Sequence, residues 1–250
     1  MKAVYRITPP SCLDNNNSQV REKKERLYKT DDPWKGFTER KSVCDELLNM
    51  FGRECAFCGK LLYSEDSDTQ VDHFLPKGKF KLISLCWENM ILLCSNCNNK
   101  KRDYSPESLD GKIFIEPFAK DATKIPQNAE IYNRYQVLSS CMDRLIEPSF
   151  DNPSEHIRFD PASRQYEPLS PIGELMNKRI FNRKKARDEQ LMNLSNLVKV
   201  FVENTQNTQN PGQTRDELIT CFGYSFFIHE FYKYWSEIKE KRSASGDAVK

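Results

Sequence analysis

The sequence has no apolar run approaching the ~18 residues that a membrane-spanning helix needs. It has no G-x-x-x-x-G-K-[ST] loop for cradling nucleotide phosphates, which excludes nucleotide hydrolysis by that route. There is no internal repeat, and the opening "MKAVYRITPPSCL" lacks the apolar core of a signal peptide, so the cytoplasm is the expected location. Histidine is scarce, at three in 250 residues. Charge of one sign is scarce too: the net charge is +2 although 30% of residues are charged. Any affinity for a polyanion must therefore come from local clusters of lysine and arginine. A hydrophobic content of 38% suits a helical, well-solvated chain better than a thick β-sandwich, and the length allows one or two domains.

Cysteine is abundant by comparison. An odd nine, with no export signal, argues against a disulfide framework. Four of them form two pairs, Cys55 and Cys58 in "CAFC" and Cys94 and Cys97 in "CSNC". Each C-x-x-C places two thiolates on a tight knuckle, and two knuckles complete the closed sulfur tetrahedron that zinc prefers. A closed site leaves no position for substrate, so the zinc expected here is structural. The plainer alternative is two unrelated pairs, one of them redox-active. Residues 59–93, between the knuckles, exceed the usual zinc-ribbon gap, and that excess needs an occupant.

The occupant begins with "TQVDHFLPK". Val71 and Phe74 read as strand positions that Pro76 ends, which puts Asp72 and His73 near a strand end, where side chains project into a cleft. Asn89 precedes the apolar run "MILLC", and "CNNKKRD" reads as a helix opening after the second knuckle. An imidazole that titrates near neutrality can take a proton from water. Asp72 and Asn98 offer hard oxygen donors suited to Mg²⁺ or Mn²⁺. Each residue has a bland reading as well. A strand histidine is often structural, an asparagine before an apolar run is often a turn, and Asn98 could simply cap a helix.

Taken in order inside the cysteine frame, "CAFC … VDHFLPK … CWENMILLCSNCNNKK" resembles the zinc-framed HNH endonucleases, a branch of the ββα-metal nucleases. The resemblance implies that His73 is the first letter of the motif and the general base. It makes Asn89 the middle letter, which orients the loop carrying His73. Asn98 stands at the last letter as asparagine, where the family pattern also has histidine. Asp72 and Asn98 would hold the catalytic Mg²⁺ or Mn²⁺, and Cys55, Cys58, Cys94 and Cys97 the structural Zn²⁺.

The basic residues near this core are Lys77, Lys79 and Lys81, which alternate as they would on one strand face, and Lys100, Lys101 and Arg102 after Asn98. Lys77, Lys100, Lys101 and Arg102 are the expected phosphate contacts; ordinary solvated charge is the competing reading. The run "KRIFNRKKAR" reads as a solvated helix face. His156 reads as turn or strand support, and His229 as a packing residue on an aromatic helix.

A narrower resemblance, over about residues 2–190, adds "KAVYRITPP", "EPSFDNPSEHIRF" and "LMNKRIFNRKKAR". These are similar to the PtuB-type HNH proteins of Septu and retron anti-phage systems. That resemblance implies a PtuA-like ABC-type ATPase as partner and nucleic acid, DNA or tRNA, as substrate. Its retron branch adds a reverse transcriptase with its RNA–DNA product. Two other readings stay open: a zinc-dependent adaptor that binds nucleic acid or the ATPase without cutting, and a restriction-type enzyme acting alone.

The expected fold class is α+β, a zinc-framed ββα-metal core embedded in a mostly helical chain. Residues 1–52 read as an extended arm and a helix, in which Phe37, Val43, Leu47, Leu48 and Phe51 fall at helical spacing before Gly52. Residues 53–108 read as the nuclease core, and 109–250 as a mixed, then mainly helical, region. Strand-like pieces are expected at "GKIFIEPF", "DRLIEPSF" and "EHIRFD", and the last helical block reads as core.

Overall fold

The computed structural model describes residues 1–109, 138, 140–181, 185–204 and 211–244. The expected strand at "GKIFIEPF" and part of the "KRIFNRKKAR" run lie outside them.

The helix expected before Gly52 is present as α3, after α1 (Ser18–Tyr28) and the single turn α2 (Pro33–Gly36). It spans Arg40–Phe51, and its apolar residues Val43, Leu47, Leu48 and Phe51 are all buried. Each such side chain contributes about 1.5–3 kcal/mol on leaving water. Gly52 ends it in the left-handed region at φ 63°, and Arg53 N–H reaches back to Leu48 O at 2.7 Å, the pairing that satisfies a helix's last carbonyls. A β-branched residue at Gly52 would break this stop.

The helix α1 was hidden in the sequence by its charge. Asn17 caps it by accepting from Gln19 N–H at 2.9 Å. Within "REKKER", Lys24 is fully buried, and its ammonium donates to Leu13 O at 2.7 Å and to Asn15. A lysine inside a charged run looks solvated until its partners are known.

The centre is a two-stranded antiparallel hairpin, β1 (Thr69–His73) with β2 (Met90–Cys94), followed at once by α4 (Ser95–Lys101). All five residues of β2 are buried, because α3 and α4 both pack against the strand. A strand covered on both faces must be apolar throughout, as "MILLC" is. A second hairpin pairs β3 (Ile157–Asp160) with β4 (Gln165–Pro168). It confirms the strand in "EHIRFD". The strand expected at "DRLIEPSF" is absent; the backbone there turns instead around polar groups, with Arg144 gripping Asp151 and Glu147 facing Arg6.

After β4 come α5 (Pro171–Met176), a π-turn (Asn177–Phe181), α6 (Lys185–Asn204), α7 (Pro211–Phe222) and α8 (Ser225–Ala244). Phe227 and Phe231 of α8 are buried, and Trp235 donates its indole N–H to Ser195 Oγ on α6 at 3.1 Å. His229 is exposed, so it does not pack as expected. The turn between α7 and α8 docks on the first cysteine knuckle: Tyr224 N–H donates to Gly59 O at 2.6 Å, and Glu54 accepts from both Ser225 N–H and Ser225 Oγ. One buried apolar cluster runs from Met1 to Phe231, and no described helix is long and apolar enough to cross a membrane.

Candidate active site and zinc centre

The hairpin register sorts two chemistries to its two ends. Thr69 pairs with Cys94 at one end, and His73 with Met90 at the other.

At the first end the sulfurs of Cys55, Cys58, Cys94 and Cys97 all lie within 4.8 Å of one another, and Cys58 and Cys94 are 3.7 Å apart. A tetrahedral ion about 2.3 Å from each sulfur implies edges of about 3.8 Å, so the set fits zinc. The first knuckle turns at Gly59, whose φ of 76° suits a residue without Cβ, and Gly59 N–H closes the turn on Cys55 O at 2.9 Å. Backbone N–H groups of Cys94 and Cys97 point at Cys55 Sγ and Cys94 Sγ at 3.3 and 3.4 Å. The Cys94 thiol is held far below its ordinary range by hydrogen bonds from the neighbouring sulfurs, Cys55 first, while Cys58 and Cys97 are pushed up. A divalent ion would let all four sulfurs ionise.

At the other end His73 is 5% exposed, where the sequence suggested a side chain open to a cleft. Its ring stands edge-on to Trp34, with centroids 5.4 Å apart. Nε2 lies 2.8 Å from Ser84 O. A carbonyl oxygen only accepts, so Nε2 carries the proton and Nδ1 keeps its lone pair. Burial pushes the imidazole below its ordinary value of 6.5, which keeps that lone pair free at neutral pH.

Asn89 is fully buried and ties down the segment that follows His73. Its Oδ1 accepts from Leu75 N–H at 2.8 Å, and its Nδ2 donates to Leu75 O at 2.9 Å and Ile83 O at 3.3 Å. A carboxylate or an aliphatic chain could not do both.

Arg6, which the sequence reading passed over inside "KAVYRITPP", holds the same region from behind. It donates to Trp87 O at 2.6 Å, Met90 O at 3.0 Å and Ser149 Oγ at 2.9 Å, and faces buried Glu147 at 3.5 Å. Trp87 returns its indole N–H to Ile7 O at 2.9 Å. No local pattern announces such a residue, because its partners lie about 80 and 140 positions away.

Asp72 is partly exposed, but its Oδ2 is buried and has no aligned hydrogen bond. Its compensation is Coulombic: Lys101 Nζ stands 2.7 Å from it, while the ammonium donates to His73 O at 2.7 Å. Lys101 is 1% exposed, so it is not the surface phosphate contact expected of it. It lies one helical turn beyond Cys97, on the inward face of α4. Asn98 lies in the first turns of α4, half-buried. Asp72 and Asn98 each carry an oxygen of the hard type that a divalent ion takes.

The remaining basic residues scatter. Residues 74–80 form turns instead of a strand, so Lys77 and Lys79 do not share a strand face with Lys81. Lys77 pairs with Asp32, and Lys79 reaches Ser105 Oγ at 3.4 Å. Lys100 donates to Ile180 O at 2.9 Å and lines a cavity of about 250 Å³ beside the cysteines, with Tyr224 and Phe181. Arg102 is exposed, with its backbone at φ 50°.

Residues 55–103, which include both knuckles and the hairpin, match the family model described as HNH endonuclease. This segment is an HNH domain. Two curated proteins, both called Septu protein PtuB, are similar to the chain. One, from Bacillus thuringiensis, is 29% identical over 113 residues, 45% of this chain and 31% of that protein. The other, from Bacillus mycoides (strain KBAB4), is 21% identical over 187 residues, 69% of this chain and 57% of that protein. The matched segments thus span about a third and somewhat over half of these relatives. No solved structure matches. The chain is therefore PtuB-like, with an HNH domain in an α+β fold.

Proposed function

We propose that the chain is an HNH endonuclease that hydrolyses phosphodiester bonds of nucleic acid as the cutting subunit of a Septu-type anti-phage complex. The observation that carries this reading is the anchored tautomer of His73, with Nε2–H fixed on Ser84 O, inside a segment that matches the HNH family. In this role Nδ1 takes the proton of the attacking water, and the buried ring stays neutral to do so. Asn89 keeps the following loop, and so the ring, in place. Asp72 and Asn98 hold a divalent Mg²⁺ or Mn²⁺ ion, whose contribution when bound is to stabilise charge on the phosphoryl oxygens. Zinc on the four cysteines staples β2 and α4 to the first knuckle and takes no part in the chemistry. Lys77, Lys100 and Arg102 are the proposed backbone-phosphate contacts.

The partner proposed is a PtuA-like ATPase, implied by the likeness to PtuB proteins and consistent with a chain that has no phosphate loop of its own. The relatives carry the Septu name alone, so a reverse transcriptase and its RNA–DNA product remain an expectation of the retron resemblance. The test is incubation of the purified complex with plasmid, phage DNA and total tRNA, with divalent ion and ATP varied in turn. Metal-dependent cutting of at least one of them is expected. A complex that forms yet cuts none of them under any condition would return the chain to the adaptor reading.

A further inference from the structure

The ammonium of Lys101 occupies an unusual place. It is 1% exposed, 2.7 Å from Asp72 Oδ2, and held there by donating to His73 O at 2.7 Å and to Arg102 O at 3.3 Å. We propose that Lys101 is a charge gate that makes binding of the divalent ion at Asp72 conditional on bound nucleic acid. The proposal rests on the reading of Asp72 as a metal ligand.

The argument is one of charge. Asp72 Oδ2 is buried and lacks an aligned hydrogen bond, so the cation beside it is what offsets its charge. A second cation drawing on the same carboxylate would meet a fixed positive charge a few Å away. Repulsion at that range is large in any partly buried setting, because little water is left to screen it. Lys101 cannot swing out to relieve it, since two backbone carbonyls hold the ammonium inside. What can offset the excess is a phosphate group that meets the ion from its solvent side. Metal and nucleic acid then bind as a pair, and by linkage each tightens the other by the same factor. A nuclease so built does not take up the ion while its substrate is absent.

The test uses the zinc-loaded full chain with Mn²⁺ as probe, titrated by electron paramagnetic resonance. Lys101→Met removes the charge at similar volume and is expected to tighten Mn²⁺ binding without nucleic acid at least about ten-fold. Lys101→Arg keeps the charge and is expected to leave that affinity low. Zinc content and circular dichroism report folding, and Lys101→Gln serves if the Met variant does not fold. The unaltered chain gives an independent reading: a saturating oligonucleotide, tested as both DNA and RNA in a His73→Ala background that cannot cut, is expected to tighten Mn²⁺ by a similar factor. Equal or weaker Mn²⁺ binding in folded Lys101→Met and Lys101→Gln would overturn the gate. So would tightening that survives Asp72→Asn in the same chain, because the ion would then lie elsewhere. Failure of the nuclease reading has a different signature, an intact Mn²⁺ response in a complex that cuts no nucleic acid.

Discussion

The described residues include two antiparallel hairpins of nearly equal length whose connections differ. β3 and β4 are joined by residues 161–164, a surface turn in which Asp160 accepts from Ala162 N–H at 3.0 Å and Ser163 N–H at 3.1 Å. The pair Arg158–Glu167 crosses it in solvent. β1 and β2 are joined by residues 74–89, a long segment that is largely buried. A buried connection must satisfy its own backbone polar groups without strand partners. Asn89, Arg6 and His73 do this, each bonding a backbone carbonyl of the segment. His73, just before this connection, and Asn89, at its end, are also candidate site residues. The long connection is thus held by side chains from its own ends and from the distant N-terminal arm, whereas the short one is closed locally by Asp160.

The first way to break this comparison is to remove zinc, since the four-cysteine cluster sits at the end of the β1–β2 hairpin. Structural zinc in small domains is worth on the order of 10 kcal/mol of binding free energy. Stripping it with a strong chelator should lower the melting temperature sharply, with loss of near-UV dichroism. A melt unchanged by metal removal would mean the staple does not bear on the core.

Next, one arginine that serves each hairpin can be truncated. Arg6→Ala leaves buried Glu147 and two carbonyls without their partner, and should cost about 3 kcal/mol in a urea titration. Arg158→Ala removes a solvent-exposed pair and should cost well under about 1 kcal/mol. Equal costs would erase the distinction drawn between the connections.

Between these two lies a pH effect. His73 is pushed below 6.5 by burial, so its neutral form persists to more acidic pH than that of a free imidazole. Cleavage should hold at pH 6.5 and decline only below it, as protons reach Nδ1. A rate that already halves above pH 6.5 would contradict a desolvated base.

How far the sequence foretold this molecule depends on the range of the interactions. The cysteine spacing, the Asp-His pair and the apolar β2 are local patterns, and the structure sets them together as a ββα unit. Gly52 after Val43, Leu47, Leu48 and Phe51 was equally plain, although Phe37, expected in the same helix, lies before its start at Arg40. Arg6 and Lys101 were not, because what defines them is distant carbonyls and burial, and both look like surface charge when read along the chain. Lys77 and Lys79 misled for a related reason: alternation implies a face only if the segment is a strand, and Pro76 and Gly78 turn it instead. His73 was legible as a residue but not in its burial, which follows from Trp34 and Ser84 folding over it.

The central claim is that His73 is the base of a hydrolytic site held by the β1–β2 connection. Single-turnover cleavage by the complex, with His73→Ala compared to the unaltered chain at matched zinc content, tests it most directly. Loss of a general base should slow cutting at least about 100-fold while circular dichroism and zinc content show the chain still folded. Cutting within about two-fold of the unaltered chain would contradict it.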